Sequence, residues 1–351
     1  ILKSPRQRAD IRRHGKPYRQ FREPDCRQSH PVQEKEYYMK RKYDGLPAGT
    51  VVDQYRIEHI LGGGGFGIVY LATACEGNQR VVVKEYMPGK LARRLRGSTI
   101  TPRREKDAER FNRGRKLFIQ EARTLATLKH PNIVNVTNFF QANGTVYMVM
   151  EFQRGENLQN YLRSRGGRRS ERFLRTVFPP LLEALHFIHS RNILHLDIKP
   201  GNIHIRPGGK PLLLDFGAVH EFPLGRHQQI CHIITPGYSP IEQYRHDGYI
   251  GPWTDIYAIG ATMRSCIDGR SPVNAETRHE KDSMRPASEA FSKHYSPEIL
   301  RAIDWAMEVD PLLRPQSVPE FLDVLVNNDK GATDEPSEPA QHRQPESNQR
   351  N

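Results

Sequence analysis

The apolar positions change rhythm part-way along the chain. From Thr50 to Val83 they fall in short β-branched runs: Tyr55-Arg56-Ile57, Gly67-Ile68-Val69-Tyr70-Leu71 and Arg80-Val81-Val82-Val83. Glycines and the polar turn Glu76-Gly77-Asn78 separate them, a pattern that predicts antiparallel strands joined by hairpins. Between Lys116 and Leu128 the period becomes helical, with Leu117, Phe118, Ala122, Leu125 and Leu128 on one face, and it stops ahead of Pro131. Two more strands are expected over Val134–Phe140 and Thr145–Phe152, flanking Ala142-Asn143-Gly144. Beyond Gly155 helical spacing dominates, over Leu158–Arg163, Arg172–His189, Ile256–Cys266, Pro297–Met307 and Val318–Val326. A strand-rich half followed by a helix-rich half predicts an α+β protein of two lobes, without internal repeats.

The two ends lack this patterning. Residues 1–46 carry about 13 Lys/Arg against about six Asp/Glu, with scattered prolines and no apolar period, and read as a basic disordered arm. Its aromatics, in Tyr18-Arg19-Gln20-Phe21-Arg22 and Tyr37-Tyr38-Met39-Lys40-Arg41, suit stacking on bases or contact with anionic lipid; the plainer reading is a solvated tail. Residues 327–351 read as a disordered polar tail. That leaves residues 47–326 as the folded domain.

Composition narrows the class. In 351 residues, 36% hydrophobic and 26% charged, there is material for a sizeable core, and Lys+Arg 53 against Asp+Glu 40 leaves a net charge of +13. The four cysteines, Cys26, Cys75, Cys231 and Cys266, include no CxxC pair, which argues against a disulfide scaffold or structural zinc and for a reducing compartment. No apolar run is long enough to span a bilayer, and no apolar stretch follows the basic N-terminus as a secretory signal requires. A cytoplasmic location is expected. The sequence starts at Ile1 rather than Met, so it is read as a fragment or processed form, with tethering through residues beyond it left open.

Three groups of residues carry chemistry. The first is Leu61-Gly62-Gly63-Gly64-Gly65-Phe66-Gly67-Ile68-Val69, a G-x-G-x-x-G-x-V pattern between two strands. Consecutive glycines let a hairpin backbone approach a polyphosphate; a flexible turn is the bland alternative. A dinucleotide site is disfavoured because a strand, not a helix, follows. The second is Lys84, closing Val81-Val82-Val83, with Glu121 on the apolar-faced helix as its natural anion. A snorkelling surface lysine is the alternative. The third is His195-Leu196-Asp197-Ile198-Lys199-Pro200-Gly201-Asn202 followed by Leu214-Asp215-Phe216-Gly217. Two carboxylates, an amide and a lysine within about 20 residues are what phosphoryl transfer from a nucleotide needs: hard oxygen ligands for Mg²⁺, a carboxylate for the hydroxyl, a cation for the moving phosphoryl.

At these residues, over about 51–326, the sequence resembles the protein kinase superfamily, and within it the bacterial serine/threonine kinases of eukaryotic type. The resemblance implies a two-lobed protein kinase fold: a small antiparallel β-rich N-lobe (about 51–152) with one main helix, and a larger, mainly helical C-lobe (about 155–326). It implies ATP and Mg²⁺ in the cleft. Gly62, Gly64 and Gly67 roof the phosphates, Leu61, Gly63, Gly65 and Phe66 complete the nucleotide-binding run, and Val69 and Val82 cover adenine. Lys84 binds phosphates and pairs with Glu121. Met150 is the gatekeeper, and the backbones of Glu151 and Gln153 meet the base. Asp197 takes or orients the hydroxyl proton, Lys199 contacts the γ-phosphoryl, and Asn202 and Asp215 hold metal. Leu125, His195 and Phe216 match a hydrophobic spine, Glu242 and Arg314 a buried ion pair, and Asp255 a brace of the catalytic loop. The implied reaction moves the γ-phosphoryl of ATP to serine or threonine hydroxyls of proteins. A pseudokinase scaffold, a small-molecule kinase and a nucleic-acid role resting on charge are the rivals; no specific nucleic acid is predicted.

The chain departs from that pattern in places. Leu196 stands where many kinases have a phosphate-binding arginine, and Ala218–Ile234 contains no Ser, Thr or Tyr. Both absences imply a loop that is active without phosphorylation, with Thr235 facing Asp197. His204 replaces an apolar floor residue and is read as a neutral packed ring. Cys231 is read as an ordinary thiol. The stretch from Met87 to Lys116 holds 11 Lys/Arg against three acids, which fits either an acidic partner or a solvated insertion. His186/His189 and His227/His232 are poor metal pairs, the first expected to pack or cap.

Overall fold

The computed structural model describes residues 43–216, 220–221, 234–245 and 247–326. Eight strands precede Phe152: β1 (Val51–Val52), β2 (Tyr55–Gly63), β3 (Gly67–Ala74), β4 (Arg80–Tyr86), β5 (Ala92–Arg94), β6 (Ile100–Pro102), β7 (Val136–Ala142) and β8 (Thr145–Glu151). Six of them form one antiparallel sheet in the order β1-β2-β3-β4-β8-β7. Its central strands are buried on both faces, as their near-continuous Val, Ile and Tyr runs require. Helix α1 (Ala108–Thr127) lays Phe111, Phe118, Ala122 and Leu125 against it. The helix begins well before Lys116, where the sequence pattern placed its start. Phe111 is the reason: alone in a basic stretch it has no periodic partner, yet its ring packs 5.5 Å from that of Tyr86.

Two expectations change here. Residues 43–46, assigned to the arm, pack on the sheet: Leu46 is 2% exposed, and its backbone N–H donates to Tyr70 Oη at 3.1 Å. The basic stretch after Met87 is not a merely solvated insertion either. Strands β5 and β6 pair as a hairpin whose Ala92 and Ile100 are buried. Arg94 enters the interior to meet Glu85, at 2.6 Å between Nη2 and Oε2. A charge inside a protein is tolerated when paired and fully hydrogen-bonded. Net charge along the chain does not reveal which arginine turns inward.

The second half is mainly helical. After β9 (Glu156–Asn157) come α2 (Leu158–Ser164) and α3 (Glu171–His189), then β10 (Ile193–Leu194), β11 (Ile203–Ile205), β12 (Pro211–Leu213) and β13 (His220–Glu221). Strands β12-β11-β9 form a small sheet, and β10 pairs with β13. The remaining helices are α4 (Pro252–Asp268), α5 (Ala275–Glu280), α6 (Ala287–Ala290), α7 (Pro297–Ala306) and α8 (Val318–Val326). Residues 253–267 of α4 are all buried, making it the axis of this lobe. Helix α3 continues through Pro179-Pro180, because Val177, Phe178, Leu181 and Leu182 on both sides of the break are fully buried.

Candidate active site between the lobes

A cavity of about 360 Å³ lies between the sheet and the small β9-β11-β12 layer. Leu61, Gly62, Val69, Val82, Met148, Met150, Glu151, Phe152 and Gln153 line one side, and His204, Leu212 and Leu214 the other. The register explains the first set: Val82 pairs with Met150 and Lys84 with Met148, so alternate residues of β4 and β8 face the same space. Apolar walls ending in a few polar groups suit a flat heterocycle attached to a charged tail.

The glycine turn connects β2 to β3. Gly67 has to be glycine, since a β-carbon there would collide with the carbonyl oxygen of Glu85 on the paired strand. Gly62, Gly64 and Gly65 have open space where a side chain would be, whereas Gly63 lies beneath the ring of Tyr43. Phe66 at the tip is 57% exposed.

The charged end of the cavity is held by Lys84. Its Nζ lies 2.5 Å from Asp215 Oδ1 and 3.3 Å from Glu121 Oε1. Burial alone would lower the lysine's pKa, but the two carboxylates outweigh it and push it up. Burial acts on Asp215 in the raising direction and is overcome by Lys84, so its carboxyl sits below the usual range. Glu121, where burial wins, is pushed up. Asp215 itself has φ 53 and Leu196 φ 60, a backbone region costly for such residues and held only where surroundings over-determine it.

Those surroundings are visible. Asp255, at the start of α4, accepts from the backbone N–H groups of His195 (2.9 Å) and Leu196 (2.8 Å) and from His189 Nε2 (2.8 Å). Gln243 Nε2 donates to the Leu196 carbonyl at 2.9 Å. His189 therefore acts as a brace, and no cluster of metal-binding side chains occurs among the described residues. The His195 ring lies 4.6 Å from that of Phe216. Burial keeps this imidazole's pKa low, and its Nε2 meets the Leu214 carbonyl at 3.1 Å.

Beside the cavity, Asp197 is held by three groups. Lys199 Nζ donates to both its oxygens, at 2.8 and 2.7 Å. Thr235 Oγ1 donates to Oδ1 at 2.8 Å and accepts from Lys199 at 3.0 Å. Asn202 Nδ2 donates to Oδ2 at 2.9 Å and to the Asp197 carbonyl at 2.8 Å. Asn202 thus spends its nitrogen on Asp197 and keeps Oδ1 as an acceptor. Asn202 and Asp215 both line the cavity, so their oxygens are hard donors suited to Mg²⁺, with phosphate oxygens and water to complete the shell.

Lys84, Glu121, Asn202 and Asp215 thus line one cavity, and Asn202 joins it to the Asp197–Lys199–Thr235 network alongside. The family model for the protein kinase domain matches residues 55–326. The chain belongs to the protein kinase family. Among curated relatives, the serine/threonine-protein kinase PknA of Nostoc sp. is 31% identical over 284 residues, 78% of this chain and 47% of that protein. The serine/threonine-protein kinase PknA of Mycobacterium tuberculosis is 28% identical over 291 residues, 79% of this chain and 61% of that one. The chain thus spans about half the length of these relatives. The solved apo form of PpkA-294 matches with a TM-score of 0.72 at 38% identity, covering 80% of this chain and 99% of that chain.

Within this kinase domain, sequence reasoning missed part of the cavity. Leu212, Val134 and Asn157 line it without belonging to any motif. The alternation of Leu212 and Leu214 on and beyond β12 was the available signal. Glu85 and Arg94 also went unmarked, although Glu85 stands beside Lys84. Residues 217–219 and 222–233, which include Cys231, His227 and His232, lie outside the described residues.

Proposed function

We propose that this chain is an ATP-dependent serine/threonine protein kinase. The carrying observation is the convergence of Lys84, Glu121, Asn202 and Asp215 on one cavity with the Asp197–Lys199–Thr235 network at its side. The cavity takes adenine between Val69 and Val82 above and Leu212 below, with the backbone around Glu151–Gln153 at its rim. Lys84, held by Glu121, neutralises phosphate charge; Asn202 and Asp215 hold Mg²⁺, which supplies charge neutralisation across the polyphosphate when bound. An acceptor hydroxyl replaces Thr235 as the hydrogen-bond donor to Asp197. Its oxygen bonds to the γ-phosphorus as the bond to the ADP oxygen breaks, and its proton passes to Asp197. Lys199, already on Asp197, is placed to steady the transferring group.

The same geometry supports a loop that works without a phosphate. Leu196, standing where an arginine would receive one, is 3% exposed and pinned at both its N–H and its carbonyl. Thr235 is engaged with Asp197 and Lys199 and serves the site itself.

Mg²⁺-dependent transfer of radiolabel from ATP to protein serine or threonine, measured for wild type and Asp197→Asn, tests the reading. A loss of at least about a hundredfold is expected on substitution. A wild type that labels no protein, or labels only small alcohols, overturns it. Intact mass of the active enzyme should show no phosphate on Thr235; one that raises activity removes the loop hypothesis.

A further inference from the structure

Residues 43–46 form a strap joining the glycine turn to the strand that carries Lys84. At one end, a β-carbon built on Gly63 would lie 2.6, 2.9 and 3.0 Å from Cδ1, Cε1 and Cγ of Tyr43, so the ring occupies that glycine's side-chain space. None of the other three glycines of the run is covered. At the other end, Arg94 Nε donates to the Asp44 carbonyl at 2.9 Å and Leu46 N–H donates to Tyr70 Oη at 3.1 Å. Tyr70 and Arg94 both bind Glu85 at 2.6 Å, and Glu85 is the residue after Lys84 on β4. Between the two ends the strap runs close over β2: a β-carbon on Gly45 would lie 2.5 Å from Ile60 Cδ1. Asp44 holds φ 52, a conformation that persists where neighbours impose it, and here Arg94 takes its carbonyl.

Gly62 and Lys84 line the same cavity. Each therefore has a neighbour, Gly63 and Glu85, tied to one short stretch of chain. We propose that Tyr43 is a positioning residue for the nucleotide: it sets the height of the glycine turn over the phosphates, and the 44–46 backbone with Arg94 and Glu85 keeps that height in register with Lys84. This rests on the kinase reading. Thermal motion of a glycine-rich hairpin would otherwise spread the roof over many conformations, only some of which meet a polyphosphate. Nothing in the glycine motif itself requires a tyrosine at this place.

The test uses the full chain with AMP-PNP and Mg²⁺ in titration calorimetry, together with KM for ATP, kcat and thermal unfolding. The proteins are wild type, Tyr43→Ala, Tyr43→Phe, Gly63→Ala and the Tyr43→Ala/Gly63→Ala double variant. Tyr43→Ala should weaken nucleotide binding about five- to tenfold, with the loss on KM rather than kcat, and Tyr43→Phe should restore it. Gly63→Ala, whose new methyl displaces the ring, should show a similar loss. The double variant should be no worse than Tyr43→Ala alone, because both changes break one contact. Unchanged or tighter binding in Tyr43→Ala, a loss confined to unfolding temperature, or additive single effects would overturn the proposal. A wild type that binds no nucleotide fails the kinase reading first and is distinguishable from all of these.

Discussion

Among the described residues each lobe buries one glutamate–arginine pair, and the two are built differently. In the C-lobe, Arg314 Nη1 lies 2.7 Å from Glu242 Oε1, with side chains 0% and 3% exposed. Its other donors go to the carbonyls of Glu308 and Val309, and Thr254 Oγ1 donates to Glu242 at 3.0 Å. The pair thus fastens the segment after Thr235 to the loop before α8 and to the start of α4. In the N-lobe, Glu85 accepts from Arg94 and from the hydroxyls of Tyr70 and Tyr147, the latter at 2.6 Å. Burial and the Glu85 charge push both phenols' pKa up, so they stay neutral donors. One pair anchors the segment next to Asp197 and Thr235; the other sits behind the strand that carries Lys84. A buried ion pair costs desolvation wherever it is placed. What differs is the segment each one ties down.

Removing one partner separates them. Arg314→Met leaves Glu242 buried and without its cation, which should cost about 3–5 kcal/mol. At roughly 2–4 °C per kcal/mol for a domain of this size, calorimetry should show a large fall in melting temperature. KM for ATP of the folded fraction should stay near wild type. Arg94→Met, measured beside it, should also raise that KM; equal ATP affinity in the two variants would break the comparison.

Next in size is Asp255→Asn, expected to cost roughly 2–3 kcal/mol at pH 7, since an amide puts a donor among the N–H groups that Asp255 accepts. Burial would raise this carboxyl's pKa, but His189, with the His195 ring and backbone, holds it below the usual range. Such a group adds stability above its unfolded pKa, near 3.8, that is lost as pH falls through the folded value. The melting-temperature gap between wild type and Asp255→Asn should therefore be full near neutrality and close below about pH 4. A gap constant down to pH 3 would contradict the brace.

The smallest contrast is between single hydroxyls. Tyr70→Phe removes a donor to Glu85 and the acceptor of the Leu46 N–H, for about 1.5–3 kcal/mol. Thr254→Val removes a donor to Glu242 and the acceptor of the Gly251 N–H, nearer about 1 kcal/mol because that N–H lies 3.3 Å away. Denaturant melts of both would show whether the N-lobe cluster is the more tightly coupled.

The Glu242–Arg314 pair, and the joining of Lys84 with Glu121, were legible as expectations because both follow from a recognisable order of motifs. The Glu85–Arg94 pair was not. Arg94 is one of 11 basic residues between Met87 and Lys116, and nothing in their order singles it out. The two helices over 275–280 and 287–290 escaped the periodic pattern because neither exceeds six residues. His189 was expected to pack or cap, but the spacing could not name its partner, Asp255, 66 positions away.

By itself the sequence determined the α+β order of elements and the inventory of the site. Strand and helix periods are local properties, and carboxylates, amide and lysine at set spacings are chemistry written in the chain. Only the tertiary structure decided which arginine among many turns inward, where α1 begins, and that Tyr43 lies on Gly63. Those outcomes depend on the desolvation and packing of residues far apart along the chain, and such energies exist only once the lobes have closed around them.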